Sequence, residues 1–578
     1  MVEQEKGSGE IQEYVKAYLE KPWLRFYDEE VPSEVEVPEK PLYWILEEAA
    51  RLYPRRTALY FLGTHITYSG LLRRAKAFAG FLRSIGVGKG DVVGLLLPNT
   101  PQFAIAYYGS LFAGATVSPM NVLYTPSEIR YQLSDNKAKV LVALDLFKDK
   151  VEAALPDNVE RVVWTGIQDY LSPLKAFLYS LKFKPPKIRE DERNASFRRA
   201  LRSEPIDKPA EVDPHDDLAA LMYTGGTTGL PKGAMLTHYN LLSNVIQIDA
   251  WFERGRKGKD VYVGVLPWFH IYGMNAVLNA GIFRAATILT YPRWTIDTVL
   301  RDIQKHKATV FHGVPTMYVA IINHEKIRKF NLRSLEYCIS GAAPLPVAVA
   351  KKFEELTGAK LREGYGLTET SPVTHVNPMK GNARPGSIGI PVPSTLAAIA
   401  DPEKPQFLKP GEIGEIVVSG PQVMKGYYNR PEENDKAFFD AEGLRWFRTG
   451  DMGYMDEDGF FYVVDRKKDL IKYKGYSVYP REIEEVLYKH ECIQEAAVIG
   501  VPHEEFNEVP KAFVVLKPEC EGKVDEGQII GYLKENLAPY KVPKTVEFRR
   551  ELPKSAVGKV LRRLLREEEL KKISEKTK

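Results

Sequence analysis

The stretch from Tyr223 to His238 constrains this chain more than any other: Tyr-Thr-Gly-Gly-Thr-Thr-Gly-Leu-Pro-Lys-Gly-Ala-Met-Leu-Thr-His. Gly225, Gly226 and Gly229 let backbone N–H groups approach an anion closely and reach the φ > 0 geometries that such a cradle needs. Thr224, Thr227 and Thr228 add hydroxyl donors, and Lys232 adds a point charge suited to phosphate. The flanks suit a functional loop. The apolar run Leu218–Tyr223 predicts a buried strand, and Asn240–Ile248 predicts a helix soon after. An ordinary glycine-rich turn between two strands would use the same residues. A Walker A loop would not, because it requires G-x-x-x-x-G-K-[ST], whereas Lys232 follows Pro231 and precedes Gly233.

A chain of 578 residues needs more than one core. Its 44% hydrophobic and 27% charged residues are those of a soluble globular protein. A net charge of +4 is too small for the length to point to nucleic acid. Cys338, Cys492 and Cys520 lie far apart in sequence and form no CxxC, so neither a disulfide framework nor a zinc site is expected, which fits a reducing cytoplasm. The first ten residues are acidic and lack an apolar segment, so no secretory signal is expected. Two uncharged stretches, Val92–Ser127 and Val261–Phe283, are broken by Pro98, Pro101, Pro119, Pro267 and Gly273. They predict strands and a core helix rather than transmembrane spans.

Residues up to about 40 read as a loosely packed arm. Helical spacing over Leu42–Leu52, a hairpin from Thr57–Phe61 and Ile66–Tyr68, and an amphipathic helix from Ser69 to Ile85 follow. Gly86 to Gly90 mimics a dinucleotide fingerprint but precedes its strand, so it reads as a connecting loop. Alternating strands and helices predict stacked α/β layers. The stretch Tyr170–Leu181 interrupts them. Leu171, Leu174, Phe177, Leu178 and Leu181 would share a helical face flanked by Lys175, Lys182, Lys184 and Lys187. That face either packs on the protein or makes peripheral membrane contact through residues 170–187. Further on, Leu266–Gly273, Thr309–Tyr318, Tyr337–Pro344 and Leu361–Thr370 each carry a polar or glycine-rich loop. In α/β sheets such loops collect ligands at the carboxyl ends of strands. Near residue 465 the dense charge run Asp465–Asp469 marks a hinge, followed by a compact α+β pattern of about a hundred residues.

Five further motifs stand in a particular order. They are Gly341-Ala-Ala343, Tyr365-Gly-Leu-Thr-Glu-Thr370, Phe447-Arg-Thr-Gly-Asp451, Asp465-Arg-Lys-Lys-Asp469 and Pro553-Lys-Ser-Ala-Val-Gly-Lys559. Each alone is compatible with a turn, a helix cap or solvated surface. Together with the Thr/Gly loop, and across residues 45–565, they resemble the adenylate-forming superfamily, most closely its long-chain fatty acyl-CoA ligases. The resemblance implies a large multi-layered α/β N-terminal domain, 1–465, built from two αβ-layered subdomains and a small β-barrel-like one. A small mobile α+β C-terminal domain, 466–578, completes the expected fold. ATP, Mg²⁺ and coenzyme A are the implied cofactors, and a homodimer is compatible with it.

The resemblance also implies roles. Thr224, Gly225, Gly226, Thr227, Thr228, Gly229 and Lys232 cradle phosphate, and Thr224 and Glu369 hold the metal, which takes carboxylates together with phosphate and water. Gly341, Ala342, Ala343, Glu363, Gly364, Tyr365 and Gly366 surround adenine, with Tyr365 stacking on it and Thr368 at the α-phosphate. Asp451 accepts from the ribose hydroxyls, with Val463, Arg466 and Lys468 nearby. Lys559 is the adenylation lysine, while Lys472 and Gly475 serve the thioester step after rotation at Lys467–Lys468. The acyl pocket is expected at Trp268, His270, Tyr272, Gly313, Val314, Met317 and Tyr318, with His270 beside the carboxylate. The stretch Lys472–Glu484 is shared with coumarate-type ligases and luciferases, so an aryl or short-chain acid stands as the alternative substrate. A carrier-partnered adenylating protein is a further alternative, although no carrier segment is expected after residue 565.

Overall fold

The computed structural model describes residues 14–224, 230–252, 257–474, 476–503, 505–555 and 558–576. Gly225, Gly226, Thr227, Thr228, Gly229 and Gly475 lie outside the described residues. The chain forms two compact units, one of Trp23–Leu396 and Val418–Phe438, the other of Met1–Pro22, Ala397–Val417 and Phe439–Lys578.

The first unit is built on two mixed sheets. One has nine strands in the order Ile390–Pro391, Val373–Val376, Lys360–Gly366, Tyr337–Ser340, Val310–Gly313, Val261–Gly264, Thr287–Thr290, Thr57–Phe61 and Thr64–Thr67. Its six central strands are parallel. The other has eight: Gly426–Tyr427, Lys232–Thr237, Leu218–Thr224, Thr116–Pro119, Val92–Leu96, Val140–Leu144, Arg161–Thr165 and Asn194–Ser196. Val92–Leu96 and Val140–Leu144 are wholly apolar and wholly buried, as parallel strands covered on both faces must be. The uncharged stretch after Val92 contains the helix Pro101–Ala113, every residue of which is buried. Thr100 caps it through Phe103 N–H, Pro101 opens it, and Gly114 at φ +88° ends it. Gly109 is required there, since a Cβ would sit 2.8 Å from the Ala75 carbonyl of the helix Tyr68–Ser84. Among the described residues no helix is long and apolar enough to cross a membrane.

Two expectations are corrected. The segment before residue 40 is not loose over its described part. Trp23 is fully buried, Tyr27 donates to the Pro391 carbonyl at 2.6 Å, and the Asp28 carboxylate accepts backbone N–H groups from Met379, Lys380 and Gly381. Aromatic anchors so widely spaced leave no periodic signal in sequence.

The second correction concerns the cysteines in the other unit, where Cys492 and Cys520 form a disulfide with a Cα–Cα distance of 5.5 Å. Ile493–His503 and Asn507–Leu516 pair antiparallel, with Ile493 opposite Leu516, so residues just outside the hairpin meet. The backbone N–H of Lys517 donates to the Cys492 carbonyl at the same place. A five-stranded sheet is formed by Leu396–Ala400, Gly414–Ser419, Leu444–Met455, Phe438–Ala441 and Phe461–Arg466, in which Leu444–Met455 and Phe461–Arg466 pair antiparallel. A second five-stranded sheet combines Tyr476–Val478, Ile471–Tyr473, Asn507–Leu516, Ile493–His503 and Thr545–Phe548. Along Ile493–His503, Ala496 and Val498 pack with Ile483, Leu487, Ile529 and Leu533 of the helices Pro480–Lys489 and Glu526–Asn536. Ala497 and Ile499 face Leu565 of the helix Arg562–Lys576 on the other side. The strand is thus buried on both faces.

Candidate active site

In the larger unit, parallel register sets the polar loops side by side. Gly313 pairs with Ser340, and Ser340 with Glu363, so Gly313, Gly341 and Gly364 sit at one edge of one sheet. The loop Leu266–His270 leaves the same edge from Val261–Gly264. Buried Asn99 fixes it, donating to the Gly264 and Leu266 carbonyls at 3.1 and 2.7 Å and accepting from Trp268 N–H at 2.7 Å. A π-helical stretch, Tyr272–Asn279, follows; such turns are rare and concentrate at functional sites. Ala342 lies in the left-handed region at φ +66°, a strained choice for a residue with a Cβ that brings the loop backbone forward.

The phosphate-loop flanks are tied down by residues that sequence reasoning missed. Gly426–Tyr427 pairs with Met235 and Ala234 of the strand that carries Lys232. The Tyr427 hydroxyl donates to Glu369 Oε1 at 2.8 Å, and its ring lies 4.7 Å from the Lys232 ammonium. Lys232 is also paired with Glu433, whose carboxyl it holds below the usual range. The Met424 N–H donates to the Glu369 carbonyl at 2.8 Å. One short segment therefore positions both the loop lysine and the acidic residue expected to hold metal. Thr224 closes its strand with Oγ1 3.4 Å from the Lys232 carbonyl. Among the described residues no cluster of three His, Cys, Asp or Glu side chains could hold a metal. One carboxylate with one hydroxyl nevertheless fits a hard cation whose remaining ligands are phosphate and water.

Tyr365 is half-buried, its ring 5.8 Å from His375. Burial pushes the His375 imidazole down to about 3, so it packs there uncharged. Glu363 is buried and accepts from Leu345 N–H at 3.2 Å, which serves the loop that begins at Gly341. Thr368 and Glu369 are half-buried, and Gly366 is exposed.

The acyl-pocket residues divide. His270 Nδ1 accepts from Tyr272 N–H at 3.3 Å, and the Tyr272 ring covers Gly341, where a Cβ would meet it at 2.9 Å. Trp268 is fully buried against Phe103. Val314 is buried at the start of the helix Pro315–Ile322. Tyr318 and Met317 pack in the cluster that holds Phe311, Cys338 and Leu361. The Tyr318 hydroxyl is spent on the Phe311 and Ile339 carbonyls, and its ring occupies the space over Gly313. An unforeseen group faces Tyr272: His312, ringed by Tyr262, Tyr272 and Phe252 at 5.7–6.1 Å. Burial pushes its imidazole down to about 3, and neither ring nitrogen has a partner among the described residues, nor has the Tyr262 hydroxyl.

In the smaller unit, strand pairing sets Asp451 opposite Arg466, and Arg466 Nε reaches Asp451 Oδ1 at 2.9 Å. Lys559 joins this pair on a short turn in which Ser555 N–H donates to its carbonyl and Gly558 adopts φ +75°. Its ammonium is pushed down to about 7, first by the Arg466 guanidinium, then by desolvation, with Lys468 and Arg562 adding to this and Asp451 opposing. The residue keeps an exposed surface, so neighbouring cations account for the depression better than enclosure does. Arg562 anchors the turn from behind through Glu484, Asp465 and Asp469 at 2.5, 3.1 and 3.2 Å. The Val463 carbonyl accepts from Arg481 at 2.6 Å. Lys468 is exposed, and so is Lys472, whose ammonium lies 3.3 Å from Ser477 Oγ.

Residues 46–428 match the AMP-binding enzyme family, and residues 482–559 match the AMP-binding enzyme C-terminal domain. The chain belongs to that family. It is 46% identical to a long-chain-fatty-acid–CoA ligase of Bacillus subtilis over 95% of its own length and 98% of the relative's. A Salmonella typhimurium enzyme of the same name is 39% identical over 96% and 100%. Among solved structures, ATP-bound MatB from Rhodopseudomonas palustris superposes with a TM-score of 0.80 at 32% identity, over 92% of this chain and 99% of that one.

Proposed function

We infer that the chain is an ATP-dependent acyl-CoA ligase acting on medium- to long-chain fatty acids. A carboxylate oxygen attacks the α-phosphorus of ATP, the bond to pyrophosphate breaks, and an acyl-adenylate forms. The thiolate of coenzyme A then attacks the acyl carbon and AMP leaves. The observation that carries the reading is the convergence of Lys559, Arg466 and Asp451: a carboxylate for ribose hydroxyls beside two cations for phosphate. Fixed cations of this kind stabilise the charge that builds on phosphorus. Thr224 and Glu369 would hold Mg²⁺, which would neutralise phosphate charge when bound. Lys559 serves the first step, and Lys472 with Gly475 the second. The exchange follows a turn at Lys467–Lys468 between domains 1–465 and 466–578. His270 lies beside the substrate carboxylate in this reading.

Pyrophosphate release measured across a panel of acids, with and without coenzyme A, tests the reading. Fatty acids should give the highest kcat/KM, with acyl-CoA formed only when the thiol is present. Release with no thioester product under any condition would contradict it. The buried His312 imidazole and Tyr262 hydroxyl favour a second reading, because an aliphatic chain would leave both unsatisfied. On that reading an aryl or otherwise polar acid would lead the same panel.

A further inference from the structure

The helix Pro173–Phe183 is the piece of this molecule whose packing runs against its composition. Leu174, Phe177, Leu178 and Leu181 are 69, 61, 55 and 58% exposed, and no residue of the helix is buried. At 100° per residue these four form one stripe along the helix. The helix is held from its other side, where Ala176, Tyr179 and Ser180 are half-buried. Lys175 ties it down further, donating to the Leu62 carbonyl at 2.6 Å. An amphipathic helix on a folded core ordinarily turns its apolar stripe inward. Single exposed leucines are commonplace, but four large apolar side chains on successive turns of one helix form a contiguous patch of the kind that marks an interaction site.

Charge decides what covers it. From Tyr170 to Arg189 there is no aspartate or glutamate, while Lys175, Lys182, Lys184, Lys187 and Arg189 are all exposed. Lys182 lies over the Phe183 ring at 5.4 Å, an aliphatic stem along an aromatic with its cation at the edge. We propose that this face docks on an anionic lipid surface. The helix lies in the plane of the headgroups, with its four apolar side chains at the acyl boundary and the lysines among the phosphates. Eleven residues are too few to span a bilayer but suffice to lie on one. The proposal stands apart from the ligase reading, since it uses none of the residues placed in that site.

The test is co-sedimentation of the full chain with phosphatidylcholine vesicles and with the same vesicles containing phosphatidylglycerol. Wild type should partition onto the anionic vesicles, and about tenfold more weakly onto neutral ones. Leu174→Glu/Leu178→Glu should lose about tenfold or more of that partitioning, with unchanged melting temperature and unchanged turnover of a water-soluble acid. Lys182→Gln/Lys184→Gln/Lys187→Gln should lose only the preference for anionic lipid. Soluble glycerophosphate should not compete, because a headgroup without a membrane offers nothing to the apolar stripe. Equal partitioning of wild type and the double glutamate variant would overturn the proposal. So would a wild-type dimer, abolished by the double variant, that binds no vesicles, because the stripe would then be a protein interface.

Discussion

At the scale of single residues, legibility followed chemistry. Asp451, Glu369, Lys559 and the threonines could be singled out because nucleotide chemistry admits few side chains at such points. Tyr427, Asn99 and Glu433 could not be, since each acts through a partner that only folding supplies, and His312 could not, since only folding rings it with aromatic side chains. Tyr427 lies 58 residues from Glu369 in sequence, and strand pairing rather than any motif brings it there. Its hydroxyl should matter through the metal. Tyr427→Phe is expected to raise the Mg²⁺ concentration for half-maximal turnover about tenfold with little change in melting temperature. An unchanged metal dependence would assign Tyr427 to packing alone. Lys559 offers a second check. With its ammonium pushed down to about 7, the free amine accumulates as pH rises through that value. Labelling of Lys559 by an amine-selective reagent should show a midpoint near 7 in the free protein, and ATP should protect it. A midpoint in the ordinary lysine range would show that Arg466 does not crowd it.

At the scale of elements, periodicity located most strands and helices, because apolar runs and stripes report burial directly. It could not report pairing. The disulfide was missed because linear distance between Cys492 and Cys520 says nothing of a hairpin that closes beneath them. With a sequence separation of 28 between the two, its loss should cost about 3.5 kcal/mol. Thermal melts of Cys492→Ser, and of wild type under dithiothreitol, should show this, whereas equal melting temperatures would mean the bond does not form. The ion network around the helix Arg562–Lys576 gives an acid signature. Burial raises the Glu547 carboxyl, but hydrogen bonds from Lys511 and Lys572 and the charge of Arg549 override that and hold it at about 2. A carboxyl lower in the folded than in the unfolded state stabilises above its usual value of about 4.5 and stops doing so as pH falls toward 2. Melting temperature should therefore drop across that window in wild type, and less steeply in Glu547→Gln. The helix Pro173–Phe183 was also found from sequence, but which way its apolar stripe turned was decided by the half-buried contacts of Ala176, Tyr179 and Ser180.

For the whole molecule, a change in texture near residue 465 marks where charge density rises, while packing groups Ala397–Val417 and Phe439–Lys578 into one unit. The difference arises because sequence texture reports local composition, whereas compact units report contacts between distant segments such as Arg562 with Asp465. The larger unit carries Glu369 and the residues proposed for the acyl site, and the smaller carries Asp451, Arg466, Lys472 and Lys559. The central claim is that Lys559 acts in adenylation and not in thioester formation. The two half-reactions of Lys559→Ala, measured separately, test it most directly: pyrophosphate release from ATP and fatty acid, and acyl-CoA formation from supplied acyl-adenylate. The first should fall about a thousandfold and the second should change little. An equal loss in both, with the fold intact, would contradict the claim.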